Sequence, residues 1–427
     1  WFGAPWIAAA ISKEAVDTIP GFKATAPALF ITSLMAAYRG LFQGFQEMSP
    51  NAYSQIIEQI VRVGAGIVLT YLFVQRSVAL GAAGFNFGDV LGAVAGLLYL
   101  LALAQRAEGR LWRPVAEEAA TLEPPARRVP QESAWTVMKR IFAVAGPIAF
   151  AGAVVPMMMM ADTFFVFRSL PDPQAQYGLL TNAFMIAYLP AVFTTAIYTS
   201  ILPAITNSMA RGETEEARRK AGQAYRMTML MAIPAQTGLF VLAGGLYALL
   251  FGDKSGAPVM AAISWAVVPI MLQQTTSGVL QGSGRIILPV RNFLLGALVK
   301  VVLSAMWTPR LGINGAAYAT AAGFLVAAIL NIVYVERILG RTLKTRGMVV
   351  KPLVAALAMA GVIWLLRAPL LRFGHTSLVT FALIGIGAVT YGLVLVLVGG
   401  IRRQEIEFIP KLGRPLAALL ERTRLLR

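Results

Sequence analysis

The chain has 427 residues, 57% of them hydrophobic and 13% charged, with a mean hydropathy of +0.68; soluble domains carry roughly 25% charged residues, so most of this chain must meet lipid. The formal net charge of +17 does not point to nucleic acid, because the basic residues fall in loops between apolar runs, as membrane topology and anionic headgroups require. Zero cysteines exclude disulfides, thiolate metal sites and thiol catalysis, and the single histidine, His375, sits beside Gly374 in a short loop, so neither a metal nor another cofactor is expected.

Taken in order, residues 1–11 (WFGAPWIAAAI) read as the end of an apolar helix, so the chain is expected to lack its natural N-terminal part. Apolar runs of about 18 residues or more then predict spans at 24–42, 52–75, 79–104, 137–167, 179–205, 223–251, 258–281, 289–309, 312–336, 350–371 and 377–400. If the 24–42 span ends in the cytoplasm, the alternate loops on that side hold 27 Lys and Arg against eight on the other. That bias places the C-terminus in the cytoplasm.

The most patterned stretch is 39–63, RGLFQGFQEMSPNAYSQIIEQIVRV. Gly40 and Gly44 permit unusual backbone conformations and Pro50 disfavours a helical Ser49, so 39–50 is predicted as a re-entrant or interfacial turn with a helix starting near Asn51. On that helix Glu58 and Arg62 are four apart and share a face. Residues 105–136 carry Pro114, Pro124, Pro125 and Pro130 among mixed charges and read as a cytoplasmic tether between membrane halves. The halves are 1–104 and 137–336, followed by an extra helix pair at 350–400 and a basic, amphipathic tail at 401–427 suited to anionic lipid.

An internal repeat supports this division. Arg62 follows Gln43-Gly44 by nineteen residues from the glutamine, and Lys300 follows Gln281-Gly282 by the same distance, with Pro50 and Pro289 between. LGAAG at 80–84 and LGING at 311–315 then open the next span in each half. Both copies have the same orientation, which predicts parallel repeats about an axis along the membrane normal.

A cation near a helix centre costs about 2.5 to 3.5 kcal/mol on insertion scales, so Arg62 and Lys300 are expected to face protein, water or a charged ligand. One reading makes them phosphate contacts on a shared cavity, with Arg39, Glu58, Gln43, Gln59 and Gln281 beside them; the other pairs Arg62 with Glu58 and lets Lys300 snorkel to the interface. Asp162 is the one acid of its apolar span and is a candidate for a coupling proton or sodium ion, or for a structural pair with Arg168. The polar band Gln273–Ser277 fits either a wet cavity or interhelical hydrogen bonding. Gly282 and Gly284 before Arg285 are read as motif turns, as Gly40 and Gly44 are, but lack the strand and lysine of a phosphate loop, so ATP is not expected.

The motifs RGLFQGFQEMSPNAYSQIIEQIVRV, LPAITNSMARGE (202–213), LQGSGRIILPVRNFLLGALVKVVL (280–303) and LGINGAAYAT (311–320) resemble the stage V sporulation protein B and polysaccharide-biosynthesis branch of the multidrug, oligosaccharidyl-lipid and polysaccharide flippase superfamily. The resemblance covers nearly the whole chain. It implies an all-α polytopic membrane protein of two helical lobes plus a terminal pair, with the first helices absent here, acting as a monomer. Because MurJ-type members resemble it, it also implies a non-enzymatic flippase for an undecaprenyl-pyrophosphate-linked glycan such as a peptidoglycan precursor. A cation-coupled drug exporter is the alternative activity of the superfamily.

Overall fold

In the computed structural model, residues 2–6, 19–44, 47, 49–121, 133–342, 346–373 and 376–400 are described, and among them the chain is almost wholly helical without a strand. It divides into two compact units, 1–131 and 132–427.

The first unit holds α1 (Ile19–Gly44), α2 (Ser49–Val74) and α3 (Val78–Thr121). α3 is the central element, packing on both α1 and α2. Its glycines at 84, 88, 92 and 96 recur every four residues and so line one face. A Cβ on Gly88 would stand 2.7 Å from the Arg62 carbonyl oxygen, and one on Gly92 2.7 Å from that of Glu58. Only glycine lets these two backbones touch. Met35, Phe42 and Leu100 fill the small core between α1 and α3.

Two local expectations are corrected. Residues 39–44 continue α1, and α2 already begins at Ser49, so the predicted 39–50 turn shrinks to the few residues between. Gly40 is helical with nothing near its missing Cβ, and Pro50 is tolerated because a helix's first turn has no use for its N–H. The expected tether is helical as far as Thr121, since Ala, Leu, Glu and Arg dominate 101–121 and favour helix despite Pro114. Its residues 133–136 cap and begin the next helix, while 122–132, the 401–427 tail and His375 lie outside the described residues.

The second unit begins with α4 (Ala134–Ser169), α5 (Pro173–Tyr188), α6 (Ala191–Ala210), α7 (Thr214–Val241) and α8 (Ala243–Phe251). It continues with α9 (Ala257–Ser264), α10 (Val267–Gly282), α11 (Ile287–Leu311), α12 (Ile313–Leu339), α13 (Lys351–Phe373) and α14 (Thr376–Leu397). α5 and α6 meet at 46° and α7 and α8 at 77°, so two of the predicted spans are broken helices. Eight described helices are long and apolar enough to cross a membrane, or ten if each bent pair is one span; α4 covers the predicted 137–167 span besides. The core runs through α4–α12 around Ile263, Val267, Ile270, Met271, Ala316 and Ala327.

Gly282 is helical too, at the end of α10, where a Cβ would lie 2.7 Å from the Leu202 carbonyl of α6. Its role is close packing. Of the four glycines predicted to make turns, Gly284 alone has positive φ, +77°, while Gly44 ends α1.

Candidate functional site: two cations, one in each unit

Arg62 sits midway along α2, and α1 and α3 bring charge to it. Glu58, one turn earlier, accepts from Arg62 Nη2 at 2.5 Å on Oε1 and from Arg39 Nη2 of α1 at 2.8 Å on Oε2. Arg39 Nε also donates to Ser54 Oγ at 3.0 Å, and Asn51 Nδ2 caps the Arg39 carbonyl at 3.2 Å. From α3, Asp89 Oδ1 stands 3.1 Å from Arg62 Nε. The cluster thus has two cations and two carboxylates, which removes most of the cost of burying any one charge. Exposure is uneven: the Glu58 side chain is 9% accessible and that of Arg62 34%. A guanidinium has five N–H donors, so Arg62 keeps an open edge while its position is fixed.

Asp89 was not singled out by sequence reasoning, although a lone acid in the apolar 79–104 run is the same kind of signal that marked Asp162. Gln59 is exposed on another face of α2 and takes no part in the cluster. Gln43 falls on the last turn of α1, and its side chain is outside the described part.

Lys300 has a different environment. It is fully buried in α11, its Nζ lies 2.7 Å from Asp162 Oδ2 of α4, and it also donates to the Met158 carbonyl. Ser304 Oγ completes the carboxylate's shell at 3.3 Å from Oδ1. Asp162 therefore pairs with Lys300 rather than Arg168, and Lys300 neither snorkels nor presents its ammonium to solvent. Its close fit depends on α12: a Cβ on Gly323 would be 2.7 Å from Lys300 Cβ, just as one on Gly92 would be 2.9 Å from Arg62 Cβ. Gly92 and Gly323 each follow the glycine of their Leu-Gly motif by eleven residues. The repeat is thus visible in packing as well as spacing, one cation per unit seated on a glycine of the next helix.

The polar band of α10 is spent on hydrogen bonds. Asn331 of α12 donates to Thr276 Oγ1 and Ser277 Oγ at 3.0 and 3.1 Å and accepts from Asn292 Nδ2 of α11 at 2.9 Å. Thr275 meets Thr228 of α7 at 2.6 Å, and Gln274 donates to Tyr188 Oη at 3.0 Å. Gln281 accepts from the Tyr198 hydroxyl. This is interhelical bonding in the interior of one unit. Among the described residues no group of three or more His, Cys, Asp or Glu could hold a metal ion.

Long apolar helices that carry paired charges, a cation seated on a glycine of the next helix once in each unit, and an appended helix pair are the features of a polytopic membrane protein with an internal repeat. A family model for the lipid II flippase MurJ matches residues 1–384, and the chain belongs to that family. It is 25% identical to the lipid II flippase MurJ of Bacillus subtilis over 74% of this chain and 60% of that protein. It is 26% identical to stage V sporulation protein B of the same organism over 92% of this chain and 75% of that one. The chain therefore spans between about three fifths and three quarters of the length of these relatives. A solved structure, lipid II flippase MurJ in an inward closed conformation, shares the fold at TM-score 0.60 and 16% identity, over 87% of this chain and 72% of that one.

Proposed function

We propose that the protein is a secondary-active flippase that moves a lipid-linked oligosaccharide, an undecaprenyl-pyrophosphate-linked peptidoglycan or polysaccharide precursor, across the cytoplasmic membrane by alternating access. Family membership supports the substrate class. The observation that carries the site is Arg62, a cation at a span centre that is held by Glu58 and Asp89 and still a third exposed. A pyrophosphate needs charge-assisted donors whose geometry is set in advance, and the open edge of a fixed guanidinium supplies them. Arg39 shares Glu58 with Arg62, so that carboxylate is not given to Arg62 alone. No covalent chemistry is required. Asp162 is the proposed coupling site, where a proton or sodium ion would act by displacing the Lys300 ammonium. A cationic drug is the less suited cargo, since Glu58, Asp89 and Asp162 already have cation partners.

The test is flipping of a fluorescent lipid-linked glycan in proteoliposomes, with a cationic dye as the competing cargo. Losing a charged hydrogen bond costs about 1.5 to 3 kcal/mol, so Arg62→Gln should slow flipping roughly tenfold to a hundredfold. Arg62→Lys should retain more, and both should be folded because Arg39 still neutralises Glu58. Undiminished flipping by a folded Arg62→Gln protein, or transport of the dye alone, would sink this reading.

A further inference from the structure

The helix pair α13–α14 is fastened to its unit differently at its two ends. Where α14 finishes, protein cations hold its last carbonyls: Arg226 Nη2 of α7 donates to Gly400 O at 2.7 Å, and Lys351 Nζ to Gly399 O at 2.7 Å. Along the seam, Tyr391 Oη donates to Leu230 O at 2.8 Å. At the opposite end no such tie is formed among the described residues. A cleft there, between α8, the turn after it, α13 and α14, is lined by Lys254, Arg367, Thr376 and Thr380 over an apolar floor that includes Leu242 and Leu383.

Among the described residues no carboxylate lines this cleft. Lys254 and Arg367 are both exposed, and neither forms an ion pair among the described residues. Asp253, the neighbour of Lys254, is engaged by the Ser255 N–H at 2.8 Å and hydroxyl at 2.6 Å; these bonds hold its carboxyl below the usual carboxylate range. Arg367 Nη2 reaches the first turn of α8, 3.7 Å from where a Gly244 Cβ would be. Two like charges on one cleft repel, and the N-terminal end of α14 at Thr376 adds partial charge of the same sign. Cations are also scarce at this end of the spans, where eight are predicted against 27 at the other, so two at one cleft is a concentration of charge.

The surroundings identify the anion. Trp364, Leu365, Leu378 and Phe381 on α13 and α14 are 61 to 72% exposed, so a lipid-facing apolar surface adjoins the cleft. At the ends of membrane spans the abundant anions beside such a surface are lipid phosphates. We propose that Lys254 and Arg367 bind the phosphate of an anionic bilayer phospholipid, which adds a polar tie between α8 and the α13–α14 pair at the end where the described residues join them by apolar packing without a cation-held carbonyl.

The test is thermal unfolding of the full chain in neutral detergent micelles doped with phosphatidylglycerol, with phosphatidylcholine, or with inorganic phosphate in the buffer. Phosphatidylglycerol should raise the unfolding temperature by several degrees more than phosphatidylcholine does. The Lys254→Gln/Arg367→Gln protein should need at least tenfold more phosphatidylglycerol for the same shift, while unfolding like wild type in phosphatidylcholine. The Lys254→Arg/Arg367→Lys protein should respond like wild type. Equal shifts from the two lipids, an unaltered response in the Gln variant, or inorganic phosphate acting as well as phosphatidylglycerol would each overturn the proposal.

Discussion

Breaking the Asp162–Lys300 pair should be among the most damaging changes available in the second unit. Lys300 is fully buried and Asp162 nearly so, with Nζ and Oδ2 2.7 Å apart. Asp162→Asn leaves a buried ammonium with neutral acceptors and no counter-charge, and Lys300→Met leaves a carboxylate with only the Ser304 hydroxyl. Removing one partner of a buried pair costs about 3 to 5 kcal/mol, because the remaining charge stays desolvated. An average interhelical hydrogen bond inside a membrane protein is worth only about 0.6 kcal/mol, so the two accounts are well separated. At about 2 °C per kcal/mol for a large domain, each single variant should unfold roughly 6 °C or more below wild type. The double variant Asp162→Asn/Lys300→Met carries no buried charge and should regain most of that loss. The assay is thermal unfolding in detergent of all four members of the cycle, which isolates the pairwise term. Single variants within about 1 kcal/mol of wild type, or additive losses in the double, would refute the claim that a desolvated charge pair joins α4 to α11.

Gly88→Ala and Gly323→Ala should each destabilise by about 1 to 3 kcal/mol through overpacking, since the new methyl would stand 2.7 Å from the Arg62 carbonyl in one case and from Lys300 Cβ in the other. Gly40→Ala, with open space at its Cβ, should be neutral or stabilising by up to about 1 kcal/mol, because alanine favours helix; equal effects at all three positions in thermal unfolding would contradict the packing argument. The proposed cytoplasmic position of the C-terminal end of α3 can be checked with one thiol. The chain has no cysteine, so in Glu117→Cys an impermeant maleimide should label inverted vesicles and leave intact cells unlabelled, and labelling of intact cells would reverse the orientation.

The spans were legible because twenty apolar residues in a row have few alternatives to a membrane helix, and the Glu58–Arg62 pair because four residues is one helical turn. The partner of Lys300 was not legible. Asp162 and Lys300 are both conspicuous in apolar spans, but nothing in a linear sequence says that α4 lies against α11. The glycines were misread for a related reason: Gly44 and Gly282 stand near helix ends and suggest turns, whereas at Gly282 what requires glycine is a carbonyl of a remote helix, that of Leu202. The breaks at 188–191 and 241–243 were hidden because hydropathy averaged over a window does not register a bend between two apolar helices.

The shared spacing of Arg62 and Lys300 suggested one job done twice, and the packing argues against that. Duplication supplies the platform, a cation on one helix seated against a glycine of the next. It does not dictate how the charge is neutralised. In the second unit the counter-charge comes from a separate helix, the pair is closed off, and Lys300 Nζ spends its donors on Asp162 and a backbone carbonyl. Such a pair specifies which helices meet, and an anionic ligand would have to break it before gaining a contact. In the first unit the counter-charges come from one turn away and from Asp89, which is itself 37% exposed, and Arg39 shares Glu58. That arrangement holds a guanidinium in place without enclosing it. On these grounds the anion contact proposed above falls to Arg62, while its counterpart Lys300 joins α4 to α11 through Asp162 and the Met158 carbonyl.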